Sequence, residues 1–184
     1  MVHFEDRVRC FTITNSDLGL VSQRRSTSGR LAAALQVGAL RLVGFVPDDL
    51  TSAPAEVIEF CAVQVNARPV DLDDYTSRRW TRQQHVAAAE AHLRFRRPSP
   101  GDMKALGDWL VERALEHDRP IVLFRLLLEH LRVQRVVRPG VSVLERAVVT
   151  ARRRAISETF LRISDQLPEQ RRRRVSMAFG SRFV

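Results

Sequence analysis

Only two cysteines occur in 184 residues, Cys10 and Cys61. Neither belongs to a Cys-x-x-Cys pair, and neither has a histidine at metal-ligand spacing, so structural zinc and a disulfide framework are both excluded. Glycine and proline number only eight each, too few for the turns of a β-sandwich or barrel. The longest stretch without charge, Leu31 to Leu40, falls far short of the roughly 20 residues that span a bilayer as a helix. Glu5, Asp6, Arg7 and Arg9 stand where a secretory leader would carry its apolar run. A soluble, cytoplasmic protein without membrane contact is expected. Catalytic signatures are missing too: there is no Gly-rich phosphate loop, no Gly-x-Ser-x-Gly elbow and no His-Glu-x-x-His. Asp71, Asp73 and Asp74 lie together, but without the glycine and distant glutamate of a calcium loop; a helix start that favours carboxylates accounts for them. No metal, cofactor or catalytic residue is assigned.

What the chain has in excess is positive charge. Thirty basic residues against 21 acidic ones leave a net charge of +9, with an isoelectric point near 11.2. Lys104 is the one lysine; the rest are arginines. A GC-rich genome can produce that ratio, but not the surplus of charge. A field of this sign suits an anionic partner, nucleic acid first, and the planar guanidinium fork suits phosphate and guanine edges.

Hydrophobic residues make up 45% of the chain, enough for a core. Nearly every periodic segment is helical. Asn15 or Ser16 caps a short helix to Arg24. Residues 28–46 form the most apolar helix, stopped by Pro47-Asp48-Asp49. Pro54 opens a helix to Asn66, and Leu72 to Tyr75 add a turn. Capping-box pairs Thr81/Gln84, Ser99/Asp102 and Ser142/Glu145 start three more, and Pro120 starts an apolar helix through Arg135. The spacing predicts an all-α protein of two small lobes, 10–97 and 98–167, with a basic C-terminal segment, 168–184. The Pro-rich stretch Arg94 to Pro100 marks their boundary.

Three basic clusters are candidate contacts for double-stranded DNA. Beyond the turn Arg138-Pro139-Gly140-Val141, one helix shows Arg146, Thr150, Arg153 and Ser157 on one side, with Arg152 and Arg154 widening it. Helix, Gly-containing turn and basic helix is the pattern of a helix-turn-helix in the second lobe; an αα-hairpin with a solvated basic face fits it equally. Arg78, Arg79 and Arg82 surround Trp80 at a helix start, where free N–H groups favour phosphate. Trp80 could equally anchor a core. Arg24, Arg25 and Arg30 bracket Ser26-Thr27-Ser28 as a third cluster.

Several blocks carry a family resemblance: Phe11-Thr12-Ile13-Thr14, Gln23-Arg24-Arg25, Arg30-Leu31, Ala34-Leu35-Gln36-Val37, Leu40-Arg41 and Gly44-Phe45. Thr81-Arg82-x-x-His85, Phe95-Arg96, Pro139-Gly140-Val141-Ser142-Val143-Leu144-Glu145-Arg146 and Pro168-Glu169-Gln170-Arg171 follow in the same order. Over about 10–174 the chain resembles the N-terminal DNA-binding domain, once a domain of unknown function, of the Tn-three family of replicative transposases. The resemblance implies a helical module that binds the terminal inverted repeats of a transposon. It implies catalysis in a separate, downstream Asp-Asp-Glu domain that this chain lacks, so that the chain is no enzyme. Self-association through the full-length transposase and residence on the bacterial nucleoid are further implications. A transposase-derived regulator that occupies the same ends, or a helical protein–protein module, are the alternatives. The chain departs from the family pattern at Gly29 and Ala32, at Ala88, and at Leu93-Arg94, where Tyr-Gly is usual.

Overall fold

The computed structural model describes residues 3–77 and 79–166, without the side chains of 76–80 and 166. The expected C-terminal segment 168–184 and Arg78 therefore lie outside the described residues. All regular elements among those described are helical, apart from one isolated bridge between Arg96 and Val136. No described helix is long and apolar enough to cross a membrane. The chain divides into two units. One contains the described residues up to Pro98 together with Leu128–Arg138; the other contains Ser99–Leu127 and the described residues from Pro139.

The first unit is built around α3 (Thr27–Val43). Small and aliphatic residues run all round this helix, so it has no face for water, and every residue from Leu31 to Leu40 is buried. Ser26 caps its start by accepting from the Gly29 N–H at 3.0 Å. Its end is set by Gly44 in the left-handed region (φ 75°), three residues before the proline expected to stop it. Around α3 lie α1 (Phe4–Phe11), α2 (Asn15–Ser22), α4 (Ala55–Gln64), α5 (Arg79–His92) and 3-10 turns at Leu50–Ser52 and Pro69–Ser77.

Helix α1 is absent from the sequence expectation, which begins the lobe at residue 10. Its signals are local: Glu5 and Asp6 in the first turn and Arg9 in the last complement the helix dipole, and Cys10 and Phe11 enter the core. The Phe11 ring lies against Gly38 so closely that a Cβ there would overlap it. Helix α5 begins two residues before Thr81, so the Thr81/Gln84 pair is not its cap.

Two helix ends in this unit share an unusual device. After α5 the Arg94 N–H bonds the Ala91 carbonyl and the Phe95 N–H the Glu90 carbonyl. After α7 (Pro120–Val133) the Arg135 and Val136 N–H groups bond Arg132 and Leu131 in the same pattern. Both are Schellman ends, which favour glycine at the left-handed residue. Here that residue is arginine, with φ 58° at Arg94 and 52° at Arg135. The Arg94 position is where the resembled family carries glycine. The ends are joined by Arg96 N–H to Arg135 O and Val137 N–H to Arg96 O, both 2.9 Å.

In the second unit, α6 (Pro100–Glu116) opens as expected: Ser99 and Asp102 form a reciprocal capping box, with Pro100 in the first turn. It packs on α8 (Val141–Gln166), the longest described helix. Leu106, Leu110 and Val111 on α6, and Leu144, Val148, Ala151 and Ala155 on α8, are buried. Helix α8 begins at Val141, with the Val143 and Leu144 N–H groups on the Gly140 carbonyl, so Ser142 sits inside the first turn rather than capping it. The connection from α7 to α8, residues 134–140, is longer than the three or four residues of a helix-turn-helix turn. It is lengthened by the Schellman end and by Arg138, whose N–H bonds the Gly44 carbonyl at 2.9 Å.

Candidate nucleic-acid interface

The solvent face of α8 follows from its buried one. At about 100° per residue, Leu144, Val148, Ala151 and Ala155 share one side, and Arg146, Thr150, Arg153 and Ser157 share the opposite side. All four of the latter are exposed. Arg146, Thr150 and Arg153 line an open hollow of about 610 Å³ together with Ser142, Glu145 and Val149. Arg146 donates through Nε to the Ser142 carbonyl at 3.3 Å, which leaves its terminal nitrogens outward. Arg153 has no hydrogen bond or ion pair among the described residues.

Arg152 and Arg154 stand on the two flanks of this face, and each is paired within the unit: Arg152 with Asp118 at 3.0 Å and Arg154 with Asp108 at 3.0 Å. Adjacency in sequence turns them away, since neighbours in a helix point about 100° apart. The pattern of basic residues passes over Val149, and the expected capping pair Ser142 and Glu145 also lines the hollow. A signal for Val149 exists in its spacing, three residues after Arg146 and four before Arg153.

Two of the arginines expected in the first unit, Arg82 and Arg30, are engaged in holding it together. Arg82 donates to the Pro47 carbonyl at 3.0 Å and pairs with Asp48 at 2.9 Å, fastening α5 to the turn after α3. Arg30 reaches the Val65 carbonyl through Nε at 3.4 Å. Arg24 is half-buried, its Nε without a hydrogen-bond partner among the described residues, whereas Arg25 is exposed. The side chain of Arg79 is outside the described set. Thus Arg25 is the outward member of its cluster, and the three clusters are not equivalent.

The Thr81-Arg82-x-x-His85 element is likewise tied inward. His85 Nδ1 lies 3.0 Å from the Tyr75 hydroxyl, which accepts from Gln36 Nε2 at 2.9 Å. Burial and the nearby Arg24 charge lower the His85 pKa, and burial raises that of Tyr75. The stronger network, unforeseen in the sequence, surrounds Asp17. This carboxylate is fully buried, and it accepts from Arg41 at 2.8 and 2.9 Å and from the Thr14 N–H at 2.8 Å. His92 Nε2 stands 2.8 Å from it. Burial pushes the Asp17 pKa up, but the bonds from Thr14, His92 and Arg41 outweigh that, and it falls to about 2. Cys61, fully buried among aliphatic residues, has its thiol pushed up to about 12, so it is an inert core group. Among the described residues no cluster of His, Cys, Asp or Glu is placed to hold a metal ion.

The geometry defines an all-α protein of two units, one closed by internal ion pairs and one presenting a basic helix face. Residues 2–151 match the family described as Domain of unknown function (DUF4158), and the chain belongs to that family. It is similar to the transposase for transposon Tn501 of Pseudomonas aeruginosa, with 32% identity over 91% of this chain and 17% of the transposase. The transposase for transposon Tn21 of Escherichia coli is 30% identical over 93% of the chain and 17% of its own length. That of Tn1546 from Enterococcus faecium is 28% identical over 90% and 17%. The chain thus spans about one sixth of the length of these relatives and is homologous to their N-terminal region.

Proposed function

We propose that this chain is a DNA-binding module of the Tn-three transposase type, which recognises the terminal inverted repeats of a transposon in duplex form and performs no chemistry itself. The observation that carries the reading is the α8 face: Arg146, Thr150 and Arg153 exposed together, directly opposite the residues that pack on α6. A helix of 10–12 Å diameter fits a major groove about 12 Å wide. Arg146 and Arg153 then meet base edges, while Arg25 and Arg79 meet phosphates and set position. Arg152 and Arg154 support α8 through Asp118 and Asp108. The module works on the bacterial nucleoid in the cytoplasm, and self-association arises through the rest of the transposase.

The test is titration of the purified chain with labelled duplexes carrying candidate repeats, across a range of salt. If about four to six phosphates are neutralised, log K falls against log salt with a slope near −4 to −5. Binding that ignores salt, or that is equal for every duplex and unaffected by Arg146→Ala and Arg153→Ala, would instead favour a protein–protein module.

A further inference from the structure

The hollow on α8 is not composed like a phosphate grip. It holds two arginines, but also an exposed carboxylate, Glu145, which repels phosphate, and an aliphatic side chain, Val149, that is 50% exposed. Val149 lies on the solvent side of α8, outside the buried set Leu144, Val148, Ala151 and Ala155, and a β-branched residue weakens a helix relative to alanine. Its position is specific: one turn after Arg146, one turn before Arg153 and next to Thr150. Aliphatic contact flanked by guanidinium forks is what a thymine beside guanines requires. Guanine offers N7 and O6 acceptors in the major groove, thymine offers a 5-methyl group, and a carboxylate can accept only from an amino group such as cytosine N4.

We propose that Val149 reads the 5-methyl of a thymine in the major groove, between two positions at which Arg146 and Arg153 take guanine edges. This rests on the reading of the chain as a DNA-binding module and adds to it the chemistry of the bases recognised. Arg146 and Arg153 are seven residues apart, about 10 Å along the helix. At 3.4 Å per base pair, the two guanines and the thymine between them fall within roughly three to four base pairs. A site without a thymine methyl there leaves Val149 against water, and the apolar contact is lost.

The experiment uses the whole chain and the tightest duplex it selects from a randomised library. Each thymine of that duplex is replaced in turn by uracil, which keeps the pairing and removes the methyl. At one thymine, flanked by guanine on either strand, the replacement should weaken binding about fourfold, the equivalent of one buried methyl. The Val149→Ala chain should bind the thymine duplex about as weakly as the native chain binds the uracil one, and should not distinguish the two. Alanine favours the helix, so circular dichroism should show this variant folded. If every thymine tolerates uracil, or if Val149→Ala still loses fourfold with uracil, the inference is overturned. Provided Arg146→Ala and Arg153→Ala still abolish selectivity, the DNA-binding reading then survives. If no duplex is selected over random DNA, both fall together.

Discussion

The two units use arginine differently. In the first, three arginines are internal ties: Arg41 closes on the buried Asp17, Arg82 on Asp48 and the Pro47 carbonyl, Arg30 on the Val65 carbonyl. In the second, Arg152 and Arg154 brace α8 from its flanks, and Arg146 and Arg153 are left pointing to solvent. A guanidinium that is buried needs a carboxylate or carbonyl within reach, because its desolvation is costly unpaired. One that stays exposed keeps its fork of donors available to a partner. A count of arginines therefore measures neither stability nor binding until each one's partner is known.

The sharpest way to break this contrast is at Asp17. Asp17→Ala leaves Arg41, His92 and the Thr14 N–H facing a hole, and should lower the unfolding free energy by about 3–5 kcal/mol in urea titration. A loss under 1 kcal/mol would show that the network is not holding the first unit together. The same carboxylate gives a pH signature. Its pKa is about 2 when folded and near 3.8 when free, so its stabilisation is complete above about pH 4 and disappears as the pH falls through 2. That difference corresponds to roughly 2 kcal/mol. Acid unfolding of the native chain should show this limb, and the Asp17→Ala chain should lack it.

The matching change in the second unit should act on binding and spare the fold. Arg146→Ala and Arg153→Ala should each cost about 1–3 kcal/mol on the preferred duplex, with melting temperatures unchanged. Loss of stability without loss of binding would mean that these side chains, too, are structural. Gly38→Ala drives a methyl into the Phe11 ring and should destabilise by about 1–3 kcal/mol, read by thermal melting. A gain is expected at Arg94. Glycine in its left-handed position should stabilise the chain by about 0.5–1 kcal/mol, since relief of strain exceeds the added freedom of the unfolded chain. The smallest effect is reserved for Arg154→Ala. Its ion pair with Asp108 is exposed on both sides, and its removal should change stability by less than about 1 kcal/mol and duplex preference not at all.

Helices that owe their ends to neighbours in sequence are legible from the chain of residues alone. The Ser99/Asp102 box opens α6 where expected, Pro120 opens α7, and the apolar run from Leu31 to Leu40 is the buried centre of the first unit. Other ends defeat a local reading because two signals compete. Ser142 and Glu145 have capping-box spacing, yet α8 starts one residue earlier on the Gly140 carbonyl. At the end of α3 the left-handed Gly44 acts before Pro47 can. Of the candidate interface, helical spacing finds Arg146, Thr150 and Arg153. It groups Arg152 and Arg154 with them, whereas in the structure these two reach aside to Asp118 and Asp108, because a charge counted along the sequence carries no direction.

By itself, then, the sequence determined an all-helical chain with a basic surplus, a buried α3 and an α8 with one polar side. Those properties depend on periodicity and on bonds between residues a turn apart, which any stretch of chain carries with it. Which arginines remain available was decided only by the tertiary structure. Asp17 meets His92 across 75 positions and Arg41 across 24, Arg82 meets Asp48 across 34, and Arg154 meets Asp108 across 46. An ion pair forms where packing brings two groups within about 4 Å, and no local pattern encodes that meeting.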